Sequence, residues 1–138
     1  MITAQAEAVF SCAPHTVWSV VTDIAGYGEW RTDIARAEIL SERQFIEYAA
    51  NGTPTVFTTI VWEPEQRWEF ELHNGSITGR WSGTFRSTEN GTKTAVRFVE
   101  EVQPMRFWIT PFIPHYLKKQ QSRFIADLTQ ALAQTEQR

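Results

Sequence analysis

The spacing of apolar residues divides this chain into a strand, a short helical stretch, a long run of strands and a final helix. Ile2 to Phe10 is strand-like, and Val17, Trp18, Val20 and Val21 then form an apolar stripe at helical spacing. Pro14 suits the first turn of that helix, where its missing N–H would have had no partner. Asp23 and Gly26 interrupt the run, and Tyr27 to Trp30 predicts a second short turn ending in a buried aromatic. From Ile34 the pattern is that of strands, with Ile34 to Ser41, Arg43 to Ala50 and Thr55 to Trp62 as the next three. Asn51-Gly52 tolerates positive φ and predicts a hairpin between the last two.

Arg67 to Leu72 alternates strictly, with Trp68, Phe70 and Leu72 on one face and Arg67, Glu69 and Glu71 on a solvated outer face. Ile77 to Arg86 alternates again, and Ile77, Gly79, Trp81, Gly83 and Phe85 share a face. Lys93 to Gln103 completes the set. Short hairpin connections make the sheet antiparallel. Gly79 and Gly83 on the inner face predict strong curvature, or space kept open beside the bulky Trp81. The tail is helical from about His115 to Gln134, roughly 30 Å long. Its apolar face carries Leu117, Phe124, Ile125, Leu128, Ala131 and Leu132, with Lys118, Lys119, Arg123 and Asp127 off it. Alone it would not hold, so that face must dock on the sheet.

The 138 residues contain no repeat and no break in composition, which predicts a single domain over 1–138. Six Trp and nine Phe mean either a solid core or an aromatic-lined cavity. Trp18 and Trp30 read as core. The net charge of −3 is small and its charges are scattered, so no basic stripe points to nucleic acid. Cys12 is the only cysteine, which excludes an internal disulfide and a thiolate zinc site. No secretory leader and no membrane-spanning run is visible, and a soluble cytoplasmic protein, monomeric or weakly dimeric, is the expectation.

The segment Ala13-Pro14-His15-Thr16-Val17-Trp18, followed by Asp23 and by Tyr27-Gly28-Glu29-Trp30, resembles the START-like (SRPBCC) superfamily. It is most similar to the bacterial polyketide-cyclase/dehydrase-like branch. The resemblance implies an α+β helix-grip fold. A curved antiparallel sheet of about seven strands would surround the long C-terminal helix, with two short helices after strand 1. It also implies a cavity, because one helix cannot fill the concave side of such a sheet.

Glu100 is the one polar departure from an apolar face that runs Thr94, Val96, Phe98, Glu100, Val102. If the register holds it points into the cavity, where burial raises its pKa unless an Arg or a hydroxyl meets it. It is a candidate to orient a ligand or to act as a general base, as is His115 at the start of the long helix. The candidate ligand-binding set is Trp68, Phe70, Trp81, Phe85, Phe98, Glu100, Phe112, His115 and Phe124. His15 and His73 read as surface residues, no histidine pair has metal-ligand spacing, and neither metal nor cofactor is expected. Nucleophile elbows and phosphate-binding glycine loops are absent.

Residues 105–114 are apolar, aromatic and carry two prolines. They form a lid over the cavity mouth, a contact for a membrane or partner protein, or ordinary packing. Three functions follow. The first is a module binding an apolar small molecule, such as a lipid, quinone or polyketide-like compound. The others are a cyclase or dehydratase using Glu100 and His115, and an interaction protein acting through 105–114.

Overall fold

Alternation in the sequence becomes one seven-stranded antiparallel sheet, in a computed structural model that describes residues 1–136. Its strands are β1 (Ile2–Phe10), β2 (Ile34–Ile39), β3 (Gln44–Ala49), β4 (Pro54–Glu63), β5 (Arg67–His73), β6 (Ile77–Thr88) and β7 (Lys93–Pro104). They lie in the order β1-β7-β6-β5-β4-β3-β2, so every neighbour is a hairpin partner except β1, which closes on β7. Between β1 and β2 stand α1 (Pro14–Thr22), a 3-10 turn at Ile24–Gly26 and α2 (Tyr27–Trp30). The long helix α3 (Ile113–Glu136) follows a 3-10 segment at Phe107–Phe112. The fold is the expected α+β helix-grip arrangement. Among the described residues no helix is long and apolar enough to cross a membrane.

Boundaries differ from the sequence reading in physical detail. β2 stops at Ile39 because Leu40 and Ser41 donate their N–H groups to the Gln44 carbonyl and form the turn. Gly52 (φ +89°) takes the left-handed conformation in the β3–β4 turn, as the Asn-Gly signal requires. The long helix begins at Ile113, two residues earlier than expected, with Pro114 in its first turn. Glu69 is a correction. Predicted on a solvated face, it is 5% exposed, beside a register shift in β4 between Thr59 and Val61, and it pairs with Arg67.

The main core lies on the concave face. Trp68, Phe70, Leu72, Phe85, Val96 and Phe98 from the sheet meet Val17, Trp18 and Val21 of α1 and Leu128 and Leu132 of α3. Trp18 packs edge-on against Phe85 and Trp62, at 5.2 and 5.1 Å between ring centroids. A smaller cluster of Val102, Ile113 and Leu117 fixes the start of α3. Polar ties hold the helix in place. The Thr32 N–H and hydroxyl donate to the Asp127 carboxylate at 2.8 and 2.9 Å, and the Gln121 amide donates to the Ala4 carbonyl at 3.1 Å.

Candidate functional site

Between α3 and the middle of the sheet lies a cavity of about 780 Å³. Its apolar wall follows from the strand period. Trp68 and Phe70 on β5, Trp81 on β6 and Phe98 on β7 all point inward, and Phe124 closes from α3. The Trp81 indole stacks on Phe70 (4.8 Å, 10° between planes) and on Phe98 (5.3 Å, 26°). Gly83 makes that arrangement possible: a Cβ there would stand 2.5 Å from the Trp81 ring. The inward glycine is the floor on which the indole lies.

The other wall is polar and buried. Arg31 follows α2 and Asp33 precedes β2, while Glu47 shares the inward face of β3 with Phe45. The Arg31 guanidinium donates from Nε and Nη2 to the two Asp33 oxygens at 3.1 and 2.7 Å, and from Nη1 to Glu47 Oε2 at 2.7 Å. All three side chains are buried, and the guanidinium also lies 4.9 Å from the Tyr27 ring centroid and 5.2 Å from that of Phe124. Burial works against the Arg31 charge, but Glu47 and Asp33 more than offset it and hold the group protonated. Burial also pushes the Glu47 carboxyl upward, with Arg31 pulling it back. Tyr27 donates its hydroxyl to the Val21 carbonyl, and burial raises its phenol.

Glu100 stands apart from this network. It is 9% exposed, lines the cavity, and its side chain makes no hydrogen bond among the described residues. Desolvation, reinforced by the Glu47 charge and partly offset by Arg31, pushes its pKa up to about 7. A carboxyl tuned there holds or releases a proton near neutral pH. The arrangement joins an aromatic slot to one end that offers a carboxyl group and a guanidinium.

Seven of the predicted residues line the cavity: Trp68, Phe70, Trp81, Phe98, Glu100, Phe112 and Phe124. Two do not. Phe85 is on the inner face but lies beyond the cavity, covered by Trp18 and in contact with Phe98. His115 is exposed and outside the cavity wall. The buried phase of the helix runs through Ile113, Leu117 and Gln121, and a residue two positions after Ile113 lies about 200° round the axis. Sequence reasoning missed Arg31, Asp33 and Glu47. The signal for Glu47 was present, since it interrupts the apolar set Phe45, Ala49 as Glu100 interrupts Phe98, Val102. Arg31 and Asp33 lie outside any periodic element and gave none. Among the described residues no group of three or more His, Cys, Asp or Glu could hold a metal ion.

The profile of the family described as "Polyketide cyclase / dehydrase and lipid transport" matches residues 1–133. No curated protein matches the sequence. Solved structures share the fold. A START superfamily protein from Mycobacterium smegmatis is 15% identical, with 96% of this chain and 98% of that one covered at a TM-score of 0.82. A protein from Mesorhizobium loti is 18% identical over 97% and 98% of the two chains, at 0.80. The Zhui aromatase/cyclase from a Streptomyces species is 11% identical over 96% and 93%, at 0.78.

Proposed function

The chain belongs to the polyketide cyclase / dehydrase and lipid transport family, with a START-like fold, and from that premise we propose that it binds an apolar small molecule between sheet and helix. The ligand is lipid-, quinone- or polyketide-like. The observation that carries this reading is the 780 Å³ cavity walled by Trp68, Phe70, Trp81 and Phe98. Its size is in the range of small-molecule sites, which are mostly apolar with a few placed polar groups. Glu100 and Arg31 are those groups here.

Phe112 both lines the cavity and is 70% exposed, and Phe107 beside it is 87% exposed. In this reading the 107–112 segment forms the entrance through which an apolar molecule passes. Native mass spectrometry of the purified protein, with a solvent extract of the same sample, tests the proposal. The expected result is a non-covalent adduct near one per chain that the extract identifies as apolar. Protein that stays empty after incubation with lipid and aromatic extracts contradicts it.

One observation favours a second reading, a cyclase or dehydratase. Glu100 carries a pKa of about 7 within the aromatic slot, which suits a general acid or base. His115 is too exposed to share that role. Turnover of a polyketide-like compound that Glu100→Gln abolishes, with binding retained, distinguishes catalysis from binding alone.

A further inference from the structure

Within the cavity, one buried cation stands among three carboxylates and pairs with two of them. Arg31 has committed two of its nitrogens to Asp33 and the third to Glu47, at 2.7 to 3.1 Å. The Glu100 side chain, nine-tenths buried and aimed into the cavity, has no hydrogen-bond or ion-pair partner among the described residues. The other basic residues on the cavity wall, Lys119 and Arg123, are exposed on α3, and neither sets the field at Glu100. The groups that face Glu100 are Glu47 from β3, Arg31 after α2 and Tyr116 from α3, so negative charge outweighs positive there. The carboxylates do not converge as metal ligands would. A buried carboxylate in that position either takes a proton or takes a cation from what binds beside it.

We propose that the cavity's ligand carries a basic amine at one end of its apolar body, with the ammonium paired to Glu100. The inference rests on the reading of the cavity as a binding site for an apolar molecule, and adds the chemical class of the ligand's polar end. The neighbouring residue supports it. Trp81 is the register partner of Glu100 across β6 and β7, and its indole lies between Phe70 and Phe98. The apolar body of a ligand whose ammonium meets Glu100 therefore lies against this aromatic stack. An anionic ligand end would meet the unpaired Glu100 carboxylate and is rejected by like charge.

In the empty protein near neutral pH Glu100 is in part protonated, since burial and Glu47 raise its pKa to about 7. Binding an ammonium favours the carboxylate, so Glu100 releases its proton to the buffer. Affinity for an amine then rises as the pH rises through that range, while a neutral ligand gains nothing.

Isothermal titration with naphthylmethylamine, naphthylmethanol and naphthoate tests this on the intact protein. The amine is expected to bind about tenfold more tightly than the alcohol at about pH 8, with naphthoate weakest. Its affinity is expected to fall by about tenfold from about pH 8 to about pH 6. In Glu100→Gln, which keeps the shape, amine affinity drops to that of the alcohol and alcohol affinity stays within about twofold. Equal binding of amine and alcohol, or an amine preference that survives in Glu100→Gln, overturns this inference and leaves the apolar-ligand reading in place. Failure of all three compounds to bind overturns that reading and the inference with it.

Discussion

Arg31→Met is expected to destabilise the protein by about 3–5 kcal/mol at neutral pH, because it leaves two buried carboxylates without their cation. Asp33 and Glu47 are each within 2.7 Å of the guanidinium, and both side chains are about nine-tenths buried. Methionine matches much of the arginine stem, so the loss reports mainly on the charge and its contacts with Asp33, Glu47 and the Phe124 ring. It also removes the positive charge that holds the Glu100 pKa down. The penalty therefore grows as the pH rises and the cluster ionises, and shrinks in acid, where Glu47 and Glu100 take up protons. Urea unfolding of both proteins at acid and at alkaline pH measures this. A loss below about 1 kcal/mol at alkaline pH would mean that the cluster is hydrated and that its partners find water instead.

The opposite sign is expected for Glu100→Gln. The wild-type group titrates at about 7 when folded, against an ordinary value of 4.5. The native state then binds the extra proton between those values, so wild-type stability falls as pH rises from about 4.5 to about 7. The difference corresponds to about 3 kcal/mol at alkaline pH. Glutamine is neutral throughout and close in shape to the protonated acid. The variant is expected to match wild type within about 1 kcal/mol at about pH 5 and to exceed it by about 3 kcal/mol at about pH 8. Parallel stability curves across that range would show that Glu100 is solvated in the folded protein. If the gain appears together with loss of ligand binding, Glu100 is retained for function at the expense of stability.

Alternation made the sheet legible. Trp68, Phe70 and Leu72, or Val96, Phe98 and Glu100, are two residues apart, so period alone places them on one face. The inward Glu100 was visible for the same reason, as a polar residue in an apolar series. Gly83 was legible as space beside Trp81, which the indole occupies. The buried face of the long helix was legible too, in Leu117, Leu128 and Leu132. His115, however, stands two residues from both Ile113 and Leu117, at about 100° per residue, and faces out, while Tyr116 and Gln120 line the cavity.

Phe85 shows a different limit. Its face was read from alternation, but the cavity's extent depends on where Trp18 of α1 lies, and period carries no such information. The Arg31 cluster was illegible for a third reason. Its partner Glu47 is 16 residues away, and Arg31 itself follows a four-residue helix in a stretch without periodicity. A buried ion pair formed across such a distance is a property of the tertiary fold.

The claim on which the rest depends is that an apolar molecule enters the space between the sheet and α3. Ala49 lies on the inward side of β3 and lines that space, so Ala49→Trp fills part of it without touching the exposed aromatics of 107–112. Fluorescence titration of wild type and this variant with the neutral dye Nile red is the most direct test. Saturable binding near one dye per wild-type chain is expected, with affinity lowered by about tenfold or more in Ala49→Trp and the variant still folded. Equal binding by the two proteins would place the dye on the exposed Phe107 and Trp108 surface and contradict the cavity as the binding site.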